Sequence, residues 1–178
     1  MRIIAGKNKG KKLKEFKGDS IRPTSDRAKE SLFNILGQRV LDCNFLDLCS
    51  GTGSIGIEAY SRGAKNVTFV DISSESLALC KENANSVGLK EKFVKNSAIG
   101  FLMGADEPFD IIFFDPPYEF SNVKEILTAV KDKNLLSGGG VFVYEHKSDR
   151  ESEQVLGFDL YDTRKYGIAV FDFYRLSL

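Results

Sequence analysis

The chain of 178 residues is poor in several residue types, and each scarcity removes a class of protein. Its three cysteines, Cys43, Cys49 and Cys80, form no Cys-x-x-Cys pair and leave an odd number, so neither a disulfide framework nor a zinc or other metal site is expected. The single histidine, His146, stands next to Glu145 in a polar context and is expected at the surface rather than as a base. No stretch approaches the roughly 18 apolar residues of a membrane span, and the first residues lack the apolar core of a signal peptide. A soluble, cytoplasmic protein with reduced thiols is expected. The four prolines at positions 23, 108, 116 and 117 are too scattered for a linker, and no repeat or low-complexity tract is present. At this length, with 42% hydrophobic residues, one well-cored domain acting as a monomer is the expectation.

Charge is abundant but unevenly placed. Formal net charge is zero, yet residues 1–40 hold 11 Lys or Arg against 4 Asp or Glu, so this stretch carries +7 and the remainder −7. Arg2, Lys7, Lys9, Lys11, Lys12, Lys14 and Lys17 are opposed only by Glu15. That density suits phosphate contacts with counterion release, although a solvated basic face would read the same way.

The chain opens with an apolar run, Arg2-Ile3-Ile4-Ala5, then Gly6 to Gly10, then Lys11 to Phe16, which reads as a glycine-turned β-hairpin. Residues 1–20 are thus expected to form a small basic appendage to a domain spanning 21–178. Arg22-Pro23-Thr24-Ser25-Asp26 gives a turn and a helix start, and Ala28, Leu32, Phe33, Ile35 and Leu36 mark one apolar face ending near Gly37. Apolar runs at 45–48, 67–70, 93–94, 111–114 and 141–144 then alternate with helical stretches near 54–62, 74–86 and 121–133, the pattern of βαβ units. The tail departs from it: 158–161 and 168–176 are strand-like runs joined through Asp162 to Gly167 without a helix. An α/β, Rossmann-like fold is expected, with a mostly parallel seven-stranded sheet closed by a C-terminal antiparallel hairpin, as in class I methyltransferases.

After the strand at 45–48 comes Cys49-Ser50-Gly51-Thr52-Gly53-Ser54-Ile55-Gly56, a G-x-G-x-x-G match at Gly51, Gly53 and Gly56 placed between a strand and a helix. Glycines let the backbone turn sharply and approach a ligand, and the helix start offers unpaired amides. Asp71, 20 residues after Gly51, ends the next strand where a carboxylate can hold ribose hydroxyls, with Ile72 beside it. These features alone fit a dinucleotide equally well. Asp47, just before the loop, favours S-adenosylmethionine, because a carboxylate there can hold an amino group and gains nothing from a pyrophosphate. The chain also lacks length for the second domain of a dehydrogenase. Asn96, Ser97 and Ala98, at the end of the third strand, are placed for an adenine edge.

The apolar strand 109–114 delivers Asp115-Pro116-Pro117-Tyr118 at its carboxyl end, where open α/β sheets bind ligands. An exocyclic base amine is a poor nucleophile because its lone pair is delocalised into the ring. The Asp115 carboxylate and the Pro116 carbonyl can accept the two amine protons and aim the developing lone pair. Two prolines stiffen the loop, and Tyr118 can stack on an extruded base, worth ~1–3 kcal/mol.

With these residues in view, the whole chain resembles the RsmD-type bacterial methyltransferases, which modify the exocyclic N2 of a guanine in small-subunit (16S) ribosomal RNA. The likeness runs through Arg2-Ile3-Ile4-Ala5-Gly6, Gly10-Lys11-Lys12-Leu13, Ile21-Arg22-Pro23-Thr24 with Asp26-Arg27, Glu30 to Leu36, Gly51-Thr52-Gly53, Gly56, Glu58-Ala59, Asp115 to Tyr118, Glu145 and Tyr166-Gly167. The chain departs from the family pattern at Cys49-Ser50, Ser73 and Ser97. The resemblance implies S-adenosylmethionine as cofactor and 16S rRNA, within the small ribosomal subunit, as partner. Arg2, Lys7, Lys9, Lys11, Lys12, Arg22, Thr24 and Arg27 are then expected at the RNA. Two other classes share parts of this signature: a DNA amino-methyltransferase acting on adenine N6 or cytosine N4, and a non-catalytic RNA-binding module. The absence of an insertion able to read DNA sequence, and the intact Asp115 and glycine loop, weigh against them.

Overall fold

The computed structural model describes residues 1–16, 24–90 and 92–178. The N-terminal hairpin closes through an Arg2–Lys12 bridge, with the Ile3 amide donating to the Lys11 carbonyl at 2.9 Å and the Leu13 amide to the Met1 carbonyl at 3.2 Å. Gly6 has φ 82°, and a Cβ there would lie 1.8 Å from the Ser61 carbonyl oxygen, so the turn needs glycine. Ile3 and Leu13 are buried in the main core, so this basic segment is a packed layer of the domain. Helix α1 (Asp26–Leu36) follows, started by Ser25, whose hydroxyl accepts the Ala28 amide at 3.1 Å, and ended at Gly37 with φ 54°.

The remaining elements alternate: β1 (Asn44–Leu48), α2 (Ser54–Ser61), β2 (Asn66–Asp71), α3 (Ser74–Ser86), β3 (Lys92–Lys95), α4 (Ala98–Gly104), β4 (Phe109–Phe114), α5 (Val123–Asp132), β5 (Leu136–Lys147), β6 (Phe158–Tyr166) and β7 (Ala169–Leu176). They build one seven-stranded sheet in the order β3-β2-β1-β4-β5-β7-β6. The first five strands are parallel, and β7 runs antiparallel between β5 and β6. This is the expected Rossmann-like architecture. Central strands are largely apolar because both faces are covered. On β4, Ile111 and Phe113 face the hairpin, α1, α2 and α3, whereas Ile112 and Phe114 face α4 and α5. Burying each such side chain stabilises by roughly 1.5–3 kcal/mol.

Three elements differ from the sequence reading. Helix α4 falls in a stretch where the sequence reading expects no helix, starting at Ala98 just after the residues expected at the cofactor: Ser97 caps it, its hydroxyl accepting the Gly100 amide at 3.1 Å. Strand β5 begins at Leu136 and runs through Gly138-Gly139-Gly140, with a register shift against β4 between Phe109 and Ile111. Strand β6 continues through Asp162 to Tyr166, read as a connection; a shift between Leu160 and Asp162 resets the pairing with β7. Among the described residues no helix is long and apolar enough to cross a membrane.

Candidate active site

Strand period places the site before any loop is considered. Successive residues point to opposite faces, so Asp47, Asp115 and Glu145 share the parity of Phe45, Phe113 and Val143, which face α1 and the hairpin. Register makes them neighbours: Asp47 pairs with Phe113, and Phe114 pairs with Tyr144. Three carboxyls therefore gather on one face at the carboxyl ends of β1, β4 and β5.

Beside them, the glycine loop joins β1 to α2. Cys49 at φ 73°, Gly51 at 52° and Gly53 at 78° put three left-handed residues within five positions, which folds the backbone back on itself. The turn is held from both sides: the Gly51 amide donates to Asp71 Oδ2 at 2.9 Å, and the Gly56 amide to Asp47 Oδ2 at 2.8 Å. A Cβ on Gly56 would sit 2.4 Å from the Phe69 ring, so this position also serves close helix–sheet packing. Asp71 Oδ1 accepts the Ser73 amide at 2.8 Å, leaving each oxygen with a further lone pair, and Ile72 next to it is 69% exposed. Asn96 and Ser97 lie at the end of β3, but both already serve the backbone, Asn96 Oδ1 accepting the Ser97 amide at 2.8 Å and Ser97 capping α4.

Asp115-Pro116-Pro117-Tyr118 leaves β4 with the Asp115 amide donating to the Leu48 carbonyl at 3.4 Å. Asp115 is half-buried, Pro116 buried and Tyr118 exposed. The turn is closed by the Phe120 amide on the Pro117 carbonyl at 2.8 Å and by the Arg150 guanidinium, which donates to the Tyr118 and Phe120 carbonyls. Lys147 Nζ lies 5.7 Å from the centre of the Tyr118 ring. Arg150 was not foreseen: it reaches this loop from 30 residues away, in a polar segment with no distinguishing pattern.

Burial dominates the electrostatics. It raises Asp47 to about 8, with the Gly56 hydrogen bond opposing and Asp71 adding to the rise. Burial, then the negative charges of Glu145 and Asp47, hold Asp115 well above the usual carboxylate range. Glu145 is raised by burial to about 7, while the Thr24 hydrogen bond and His146 pull it back. Among the described residues no lysine or arginine offsets these three carboxyls. The site is therefore short of positive charge.

His146 is not at the surface. It is 3% exposed, its Nε2 is 2.9 Å from Asp172 Oδ2 and its Nδ1 is 3.0 Å from the Lys147 carbonyl, because β5 extends through it into the middle of the sheet. Burial opposes its charged form, but the Asp172 and Lys147 hydrogen bonds outweigh that and its pKa is raised. Asp172 Oδ1 also accepts from Ser152 and Thr163 at 2.8 and 2.7 Å, a satisfied network that joins β5, β6, β7 and the segment after β5.

A cavity of about 490 Å³ opens against Tyr118 and Glu145, between the start of α1 and the β6–β7 turn. Thr24 and Arg27 line it, and the Thr24 hydroxyl donates to Glu145 Oε2 at 2.9 Å. Lys7, Lys9, Lys11 and Lys12 are exposed on the hairpin, with Lys7 Nζ 3.4 Å above the Tyr60 ring. Arg2, also exposed, pairs with Asp26 at 3.1 Å. Arg22 lies outside the described residues.

Strand order, glycine loop and Asp-Pro-Pro-Tyr turn together define a Rossmann-like methyltransferase of class I. The chain belongs to the family described as conserved hypothetical protein 95, whose model matches residues 1–175, the RsmD-type methyltransferases. It is 37% identical over 182 residues to the YlbH protein of Bacillus subtilis, covering 98% of each chain. It is 31% identical over 180 residues to ribosomal RNA small subunit methyltransferase D of Haemophilus influenzae, covering 98% of this chain and 93% of that one. The solved structure of the Escherichia coli YhhF protein superposes with a TM-score of 0.88 at 28% identity, covering 99% of this chain and 97% of that one.

Proposed function

We propose that this protein transfers a methyl group from S-adenosylmethionine to the exocyclic N2 amine of a guanine in 16S ribosomal RNA, within the small subunit, as a cytoplasmic monomer. The observation that carries the reading is the Asp115 turn, set at the carboxyl end of β4 beside the glycine loop and opening onto the Tyr118 cavity. The names of the relatives, given for ribosomal RNA, favour RNA over DNA as the substrate.

The residues present fit the cofactor. Asp47, buried with no basic group beside it among the described residues, suits a ligand that brings positive charge, and Asp71 with exposed Ile72 suits a nucleoside. Asp71 would hold ribose hydroxyls, Ile72 would cover the adenine, and Asn96, Ser97 and Ala98 would meet its edge. Asp47 would face the amino group, while Gly51, Gly53 and Gly56 allow close approach of the backbone. S-adenosylmethionine supplies the methyl group as an electrophile on a positively charged sulfur.

The chain's own part is to prepare the amine. Asp115, ionised once positive charge is beside it, and the Pro116 carbonyl accept the two N2 protons and fix the nitrogen lone pair in one direction. Tyr118 stacks on the extruded base, and Asp115 takes the proton that the methylated amine loses. Residues 1–20, with Arg22, Thr24 and Arg27, dock the RNA on the domain formed by 21–178. The test is transfer of a tritiated methyl group to small subunits from a strain lacking the gene, with mass spectrometry of the labelled base. N2-methylguanine at one position supports the proposal; label in another base, or none, contradicts it.

A further inference from the structure

The cavity beside Tyr118 has a polarity that the amine chemistry does not use. Its inner wall carries Glu145, 4% exposed, whereas Arg27 and Lys165 stand at its rim with Tyr118 and Tyr166. The Thr24 hydroxyl occupies Glu145 Oε2 at 2.9 Å, which fixes the side chain and leaves Oε1 for a second donor. A negative floor under a positive rim fits a nucleotide whose base enters with hydrogen-bond donors leading and whose phosphates stay at the mouth.

Base chemistry narrows the choice. In adenine and cytosine the exocyclic amine is flanked on the pairing edge by a ring nitrogen that only accepts, and a carboxylate facing it would be repelled. In guanine the neighbour of the N2 amine is N1–H, a donor. From this cavity we infer that Glu145 is the specificity-determining residue: its carboxylate, set by Thr24, accepts N1–H of the extruded guanine while the Asp115 turn holds the adjacent amine. The inference rests on the guanine-N2 reading above. Register supports it independently: Phe114 pairs with Tyr144, so Asp115 and Glu145, the next residue along each chain, share one sheet face, and the Glu145 charge acts on Asp115. Its raised pKa, about 7, leaves Glu145 able to ionise near neutrality.

The probe is small-subunit RNA carrying either guanine or 2-aminopurine at the methylated position, assembled into subunits. 2-Aminopurine keeps the C2 amine but has an unprotonated N1. Loss of its O6 is common to every enzyme compared, so a change in the guanine to 2-aminopurine ratio of kcat/KM between variants reports Glu145. The wild type is expected to prefer guanine by on the order of 100-fold or more, because an unmet buried acceptor is costly. Glu145→Gln should bring the ratio to about 10 or below with S-adenosylmethionine affinity unchanged. Thr24→Val should move the ratio the same way by freeing the carboxylate. A Glu145→Gln enzyme that binds the cofactor and keeps the wild-type ratio overturns the inference, and if that variant fails to fold, an unchanged ratio in Thr24→Val does so. A wild type that methylates no guanine overturns the N2 reading itself and this inference with it, an outcome visible before any variant is made.

Discussion

Asp47 and Asp115 are acids placed where their charged forms are costly, and the cost has a measurable sign. Asp47 is raised from its ordinary 3.8 to about 8 by burial, so between those values it is neutral in the fold and ionised in the unfolded chain. Folding then takes up a proton, and stability falls as pH rises through that window, by up to about 1.4 kcal/mol per pH unit for such a group. Thermal melts of the unliganded protein at several pH values should show the fall, and Asp47→Asn should flatten it; equal slopes for the two proteins would show that Asp47 is ionised in the fold. Residues of this kind were readable as chemistry because Asp47 lies near the end of one strand and Asp115 just beyond the end of another, and the apolar runs of both are unmistakable. His146 and Lys29 were not readable as buried, since what buries them comes from distant parts of the chain: Asp172 for the one, and Arg2, Ser54 and Glu58 for the other.

Lys29 shows how elements are held together beneath the site. It is fully buried on α1, its Nζ donating to the Arg2 carbonyl at 2.6 Å and Ser54 Oγ at 3.0 Å, with Glu58 Oε2 at 3.7 Å. Glu58 on α2 in turn accepts the Ile4 and Ala5 amides at 2.8 and 3.0 Å and pairs with Arg62 at 2.7 Å. One charge cluster thus joins the hairpin, α1 and α2. Lys29→Met should destabilise by about 3 kcal/mol, because it leaves part of a buried carboxylate uncompensated. Urea denaturation would show a lowered midpoint at unchanged slope; an unshifted midpoint would mean that Arg62 and the two amides satisfy Glu58 alone. At this scale the apolar runs located all seven strands, and their alternation with helices indicated that the first five run parallel, though not their order in the sheet. The misses share a cause. Helix α4 is a single short apolar segment without a polar face, the β5 glycines mimic a turn, and the polar second half of β6 is a sheet-edge strand whose outward residues look like a loop.

Over the whole molecule, charge is segregated: a basic N-terminal layer on an acidic domain. Lys9, Lys11 and Lys12 are exposed and form no ion pair among the described residues, so they are available to phosphates. Replacing these three by Glu should weaken binding to small-subunit RNA and reduce the slope of log affinity against log salt by about 2 to 3. A filter-binding titration at several salt concentrations checks this, and an unchanged slope would make the lysines merely solvating. The sequence pattern made the basic segment visible, but not that Ile3 and Leu13 fasten it into the core, because a hairpin with one buried residue on each strand has too short a period to read.

The most direct measurement compares wild-type protein with Asp115→Ala for methyl transfer from tritiated S-adenosylmethionine to unmethylated small subunits, alongside equilibrium dialysis of the cofactor. Transfer should fall at least about 100-fold with cofactor affinity essentially unchanged, since Asp115 prepares the amine and the glycine loop holds the cofactor. An Asp115→Ala protein that transfers methyl groups at near-wild-type rate would contradict the role given to the Asp-Pro-Pro-Tyr turn, and with it the account of the site.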